Sequence, residues 1–319
     1  MGKNIPLKNV LIYGAGMMGK NIAFVFSSNP VWRTVVCGRR EVDIFGGIRA
    51  ACAPLISRGI IGAGEFERRL SRIRFTKDIE DDGVRNADLV IEAVSEDMGL
   101  KQEIFEKLER RCRSDAIFCT NSSVMSPSEI SSKLKYRSRF VGTHFWNPAH
   151  LIPLVEVVKS DATSEETAAA VMEVLIEAGK KAVLCKKDAP GFIANRMQHA
   201  LWREAVYIVE QGIADAKTVD EAVRYSFGLR LPQLGPLENA DMVGLDMTCS
   251  IHSYIFKHLC DSKEPSPLLT TLRNEGWLGF KSGEGFQKWT DEEKNAAGAN
   301  LNEYLVNMLA LSITKTARQ

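Results

Sequence analysis

Histidine is scarce in this chain, five in 319 residues, so a search for a general base has few candidates. Surplus charge is absent: 41 Lys and Arg against 40 Asp and Glu leave a formal +1, unlike the basic surface of a nucleic-acid binder. No apolar run approaches the roughly 18 residues of a membrane-spanning helix, so no membrane partner is expected. The seven cysteines are odd in number and form no C-x-x-C pair, which argues against a disulfide framework and for reduced thiols. The start, Met1-Gly2-Lys3-Asn4-Ile5-Pro6, lacks the apolar core of a secretory signal. A cytoplasmic protein is therefore expected. Gly and Pro are not in excess, 45% of residues are hydrophobic and 25% charged, and the length suits two domains with a core each.

What is present is an alternation. Val10-Leu11-Ile12-Tyr13 is a short apolar run stopped by glycine, which reads as a buried strand, and Lys20 to Phe26 has helical character. Thr34-Val35-Val36-Cys37, Ala87-Asp88-Leu89-Val90-Ile91, Ala116-Ile117-Phe118-Cys119 and Phe140-Val141-Gly142 read as further strands. Residues 41–75, rich in arginine and interrupted at Gly59 to Gly64, read as helical, as do roughly 99–112. Strands alternating with helices predict an α/β fold, a Rossmann-type doubly wound parallel sheet. After about residue 187 the strand signals stop. Asp188-Ala189-Pro190 has a capping residue with proline just inside, and predicts a helix over 191–211. Further helices are expected near 215–226, 241–260 and 266–275. The expectation is an NAD(P)-binding Rossmann-like domain over 1–187 and an all-α C-terminal domain over 188–319.

Gly14-Ala15-Gly16-Met17-Met18-Gly19 follows the first strand and opens a helix, the context that gives a G-x-G-x-x-G its meaning. The first glycine makes a tight turn and the second admits a pyrophosphate. The third lets helix and strand pack closely, with the helix amino terminus facing the phosphates. An acidic residue at the end of the second strand would bind the ribose of NAD, but Gly38-Arg39-Arg40 stands there. Guanidinium groups grip phosphate through paired hydrogen bonds, so NADP is the favoured cofactor. A solvated basic turn is the plainer reading, and Glu41 or Asp43 remains able to reach a ribose.

Among the histidines, His199, His252 and His258 fall in predicted helices. His150, in a loop after proline, is a rival for the role of base. His144 ends an apolar run at the carboxyl edge of the expected sheet, where ligands of open α/β folds bind. Twelve positions on, Glu156 lies inside Leu154-Val155-Glu156-Val157-Val158. Across adjacent strands the two can meet, and a carboxylate then fixes the tautomer and charge of the imidazole. Cys249, His252, His258 and Cys260 match no familiar metal spacing, and no metal is expected.

Several motifs in order resemble the 3-hydroxyacyl-CoA dehydrogenases over nearly the whole chain. They are Ile91-Glu92-Ala93-Val94-Ser95-Glu96, Asn121-Ser122-Ser123, and His144 through Pro148 to Leu154-Val155-Glu156-Val157. Pro190-Gly191-Phe192-Ile193-Ala194-Asn195-Arg196, Gly235-Pro236-Leu237-Glu238, and Gly276-Trp277-Leu278-Gly279 with Lys281-Ser282-Gly283 continue the match. The resemblance implies that His144 is the catalytic base and Glu156 its orienting partner. It implies that Ser122 and Asn195 hold the substrate oxygens, that Asn147 helps shape the site beside the nicotinamide, and that Asn121 is among the cofactor-binding residues. Glu96, Lys101 and Lys281 fall where the family contacts cofactor or neighbouring substrate groups. It further implies NAD as the family's cofactor, a small-molecule substrate, and a homodimer formed through the helical domain.

Three departures bear on the substrate. Ala149-His150-Leu151-Ile152-Pro153 looks more like relatives acting on small hydroxy acids, such as L-gulonate or carnitine dehydrogenases. The chain continues past Trp289, as several of those relatives do, in what reads as an extra helix, and Thr120-Asn121 reverses the family's usual order. An acyl-CoA and a free small hydroxy acid both stand as candidate substrates. A non-catalytic, crystallin-like protein is the alternative of another class, and the retained Ser122, His144, Glu156 and Asn195 argue against it.

Overall fold

The computed structural model describes residues 8–316, and the chain divides into two compact units. The first runs to Asn195 and is rejoined by the C-terminal segment from Leu301; the second spans Arg196–Asn300. The division thus falls just inside a helix, a few residues after the position 187 expected from sequence.

The first unit is an eight-stranded sheet. Its strands are β1 (Asn9–Tyr13), β2 (Arg33–Cys37), β3 (Ile73–Thr76), β4 (Leu89–Glu92), β5 (Ile117–Thr120), β6 (Phe140–Phe145), β7 (Leu154–Lys159) and β8 (Lys181–Cys185), in spatial order β3-β2-β1-β4-β5-β6-β7-β8. The helices between them are α1 (Met17–Phe26), α2 (Ile44–Ser57), α3 (Ala63–Leu70), α4 (Asp82–Arg85), α5 (Met98–Arg111), α6 (Pro127–Ile130) and α7 (Glu165–Glu177). Side chains cap several of them: Asp43, Asp97 and Ser164 accept from backbone N–H groups three residues on and satisfy donors the helices leave open.

On one face of the sheet Ile12, Val141 and Val157 share a core with Ile22 and Phe26 of α1, Ile48 of α2 and Val171 of α7, and on the other Leu11, Val90, Phe118 and Phe140 share one with Phe105 of α5. Each such side chain contributes roughly 1.5–3 kcal/mol by leaving water. Central strands buried on both faces lose the polar alternation of a one-sided sheet, which is why they read as unbroken apolar runs.

Two features of the sheet depart from the sequence expectation. The arginine-rich region is not helical to residue 75: Ile73–Thr76 is β3, paired parallel to β2 at the sheet edge. Arg74 projects there to Asp81. The sheet is also not wholly parallel, because β6 and β7 run antiparallel. Direct cross-strand partners in such a pair put their side chains on one face, with Cβ atoms about 5 Å apart.

Helix α8 (Ala194–Glu210) starts three residues later than expected. Asp188 does not cap it. Its carboxylate instead accepts from the Ser126 hydroxyl (2.5 Å) and the Ser128 N–H (2.8 Å), at the start of α6.

The second unit is helical: the rest of α8, then α9 (Ala216–Arg224), α10 (Phe227–Arg230), α11 (Pro236–Val243), α12 (Leu245–Ile255) and α13 (Pro267–Asn274), followed by a turn region whose bridges pair Gly279 with Glu284 and Glu284 with Lys288. Helix α14 (Asp291–Thr316) is the extra helix expected past Trp289. Its later part, grouped with the first unit, buries Val306 in the α1–α2 core, while Asn307 accepts from Arg58 (3.2 Å) and Glu303 pairs with the same guanidinium. No helix among the described residues is long and apolar enough to cross a membrane.

Candidate active site

The carboxyl ends of β1, β4, β5 and β6 meet along one edge of the sheet, and the turn after β1 is built to leave room. Gly14 has φ 125°, in the region reserved for glycine, and a Cβ there would lie 2.4 Å from the Ala93 carbonyl oxygen. At Gly19 a Cβ would fall 1.8 Å from the Gly14 oxygen, whereas at Gly16 it would meet nothing within 4 Å. The three glycines therefore divide their duties: two allow close packing within the protein, and the exposed one keeps a space clear. Met17 and Met18 begin α1, whose first N–H groups face this turn. A dinucleotide pyrophosphate fits such a cradle.

At the end of β2, Gly38 is buried and its neighbours Arg39 and Arg40 are exposed. The nearby acids are engaged: Glu41 pairs with Lys77 at 2.8 Å, and Asp43 accepts the Gly46 N–H at 2.7 Å as the cap of α2.

Three strand spacings from β1, about 14 Å, β6 brings His144 to the same edge. His144 is the direct antiparallel partner of Glu156 on β7, and its Nδ1 lies 2.9 Å from Glu156 Oε2. A carboxylate only accepts, so Nδ1 carries the proton and Nε2 is left as the basic nitrogen. Both side chains are buried. Glu156 has further donors: the Trp146 indole at 3.3 Å on Oε2, and the N–H groups of Ile193 (2.9 Å) and Ala194 (3.0 Å) on Oε1. Burial pushes its carboxyl up, but the hydrogen bonds from His144, Ala194 and Ile193 outweigh this and hold it below the usual glutamate value. His150, the rival base, is elsewhere. Its Nε2 contacts the Ala51 carbonyl (3.1 Å), and burial pushes the ring down to about 4.

A second polar group joins β4, β5 and α5. Lys101, fully buried, donates to Glu92 (2.7 Å) and approaches Glu96 (3.0 Å). Glu92 also accepts from the Thr120 hydroxyl at 2.7 Å. Glu96 accepts the Ser122 hydroxyl (2.5 Å) and the Ser123 N–H (2.8 Å). Burial raises the Glu96 carboxyl, yet these bonds and the Lys101 charge bring it below its ordinary value. Ser122 Oγ in turn accepts the Met125 N–H at 3.0 Å.

The remaining candidates are placed as follows. Asn121 accepts the Phe145 N–H at 3.0 Å, tying β5 to β6 beside His144. Asn195 donates to the Ser123 carbonyl at 3.0 Å, which brings it into the Ser122 loop. Asn147 is exposed just past β6, where its bond to Pro148 is cis. Lys281 is exposed in the second unit, in the turn region after α13. The first unit thus gathers Ser122, Glu96 and Lys101 in one network, His144 and Glu156 in another, and Asn195 joined to the first. Sequence reasoning missed Trp146, Glu92 and Phe192 as parts of the site. Phe192, buried at φ 52°, sets its ring 5.8 Å from that of His144. All three lie in motifs that carry the family resemblance, but nothing in the pattern marked them individually; their contacts do.

Residues 9–189 match the family described as 3-hydroxyacyl-CoA dehydrogenase, NAD binding domain, and residues 191–289 match its C-terminal domain. A probable 3-hydroxybutyryl-CoA dehydrogenase of Bacillus subtilis (strain 168) is 36% identical over 295 residues, 92% of this chain and 100% of that protein. A 5-formyl-3-hydroxy-2-methylpyridine 4-carboxylate 5-dehydrogenase of Mesorhizobium japonicum is 34% identical over 73% of this chain and 75% of its own length. A crystal structure of an enzyme with that activity, described as an NAD+ dependent dismutase, superposes with a TM-score of 0.86 at 31% identity, covering 95% of this chain and 97% of that one. With both domains matched in order along one chain, the protein is an oxidoreductase belonging to the 3-hydroxyacyl-CoA dehydrogenase family.

Proposed function

We propose that the chain interconverts a 3-hydroxy and a 3-oxo group with His144 as general base and Glu156 as its partner. The observation that carries this is the 2.9 Å contact between His144 Nδ1 and Glu156 on the sheet edge that also bears the glycine turn. In the oxidative direction His144 Nε2 takes the hydroxyl proton, and the buried carboxylate stabilises the imidazolium that results. A dinucleotide whose pyrophosphate lay on the glycine turn would supply its nicotinamide as the hydride acceptor. In the reductive direction the imidazolium returns its proton to the nascent alkoxide. Ser122 and Asn195 hold the substrate oxygens in this reading. Ser122 shares its hydroxyl proton with Glu96, so its bonds rearrange when substrate enters. The chain acts as a homodimer formed through its helical part, as the family resemblance implies.

The first substrate reading is a 3-hydroxyacyl-CoA thioester, supported by the family match and by the Bacillus subtilis relative. A second reading, a free small hydroxy acid, draws support from the pyridine carboxylate dehydrogenase, whose named substrate is a free acid and not a CoA thioester and whose structure superposes over 95% of this chain at a TM-score of 0.86. At the adenosine end, Gly38-Arg39-Arg40, with Glu41 and Asp43 both engaged, supports NADP(H) over the NAD named for the family's domain.

One spectrophotometric screen tests all three points: acetoacetyl-CoA against small 3-hydroxy and 3-oxo acids, each with NAD(H) and NADP(H). Turnover of acetoacetyl-CoA supports the first substrate reading, and turnover of free acids alone supports the second. A higher kcat/KM with NAD(H) overturns the NADP(H) preference.

A further inference from the structure

His144 is flanked by aromatic rings. Trp146 lies at a centroid distance of 5.3 Å and Phe192 at 5.8 Å. Trp146 differs from Phe192 in having a donor. Strand side chains repeat every two residues, so Trp146, two after His144, continues on the His144 side as the chain leaves β6. Its indole Nε1 is thereby brought 3.3 Å from Glu156 Oε2, the same oxygen that faces His144 Nδ1. The other oxygen, Oε1, is occupied by the Ile193 and Ala194 N–H groups. The indole therefore competes with the imidazole for one carboxylate oxygen.

We propose that Trp146 is a positioning residue of this dyad: its indole N–H shares Glu156 Oε2 with His144 Nδ1 and its ring backs His144, so the carboxylate holds the imidazolium less firmly than in the bare pair. The inference rests on the dyad reading given above. An imidazolium gains most from a carboxylate whose charge is undivided. Each added donor on that oxygen spreads the charge and weakens its hold on the imidazolium proton.

The groups facing the carboxylate are few. On β6 there is His144 itself, and on α8 the contact is through backbone N–H. On β8 there is the Cys185 thiol, pushed up by burial and by the charges of Glu156 and Asp188. Asp188 is held by Ser126 and Ser128. On the loop after β5, Asn121 and Ser122 carry no charge, and the Glu96 carboxylate beside Ser122 already faces Lys101.

Trp146→Phe keeps an aromatic ring and removes the donor. In the free enzyme, the His144 imidazole is followed through pH by 15N–1H NMR, assigned by its loss in His144→Gln. In Trp146→Phe its midpoint should rise by roughly half a pH unit, the scale expected for one long hydrogen bond to a charged group. The acid limb of kcat/KM in the oxidative direction should move by the same amount, with KM little changed. An unchanged imidazole midpoint in a folded Trp146→Phe overturns the proposal. If that variant does not fold, the wild-type indole decides: its N–H resonance should shift across the His144 midpoint, and a flat resonance overturns the proposal. The NMR midpoint needs no turnover. Failure of the dehydrogenase reading would therefore appear as an inactive wild type, separately from this measurement.

Discussion

Glu156 holds the start of the helix that Ala194 begins: Oε1 accepts the Ala194 N–H at 3.0 Å and the Ile193 N–H at 2.9 Å. A carboxylate at that place meets the positive end of the helix dipole and satisfies donors that no helical carbonyl can reach. The carboxylate that faces His144 is thus also a structural cap.

From this follows a pH dependence of stability. The folded-state value of Glu156 is depressed below its ordinary 4.5. Its contribution is therefore fully present above pH 4.5 and is lost as pH falls through the folded value. Urea midpoints measured from pH 6 down to 3 should decline less steeply in Glu156→Gln than in wild type. Parallel curves would show that the ionised carboxylate contributes nothing to the fold.

Replacing the base tests the chemistry separately. His144→Gln keeps a polar side chain of similar reach but cannot cycle a proton. It should lower kcat by roughly 10²–10⁴, the usual value of general acid–base catalysis. Dinucleotide affinity, read by fluorescence titration, should be unchanged. Near-normal turnover would remove His144 from the mechanism.

The glycine turn makes a paired prediction. Gly19→Ala places a Cβ 1.8 Å from the Gly14 oxygen and should destabilise the fold, lowering Tm by several degrees. Gly16→Ala meets no protein atom within 4 Å, so Tm should hold while dinucleotide Kd rises. Differential scanning calorimetry and titration on the same samples separate the two effects. Equal losses of Tm would contradict the division of roles.

Lys101 is the charge that compensates Glu92 and Glu96. Lys101→Met would leave a buried carboxylate without its partner, a change that typically costs about 3–5 kcal/mol. Guanidinium denaturation should show that loss. Lys101→Met with Glu92→Gln should recover part of it, because the uncompensated charge is then gone.

Much of this was readable in the residues. Strands β1, β2, β4, β5 and β6 lie within or close to the apolar runs that predicted them, because burial on both faces leaves such runs unbroken. Edge strand β3 was hidden: Ile73-Arg74-Phe75-Thr76 alternates, and its arginine merged with the basic helices before it. Asp188 was misplaced because a capping carboxylate serves any open N–H within reach, and it is the Ser128 N–H that it accepts. The His144 and Glu156 pair was legible from a twelve-residue spacing between two strand-like runs. The indole bond of Trp146 was not, since it depends on how the chain leaves β6.

The antiparallel joint between β6 and β7 separates what must be constant from what can vary. Hydrogen bonds along the ladder set His144 opposite Glu156, and the buried side chains that alternate with them hold that register. Changes in Ala149 to Pro153, beyond Trp146, can reshape the ground a new substrate meets while His144 stays opposite Glu156. Evolution of substrate range in such a protein has a natural place to tinker, one bend away from the chemistry it must leave alone.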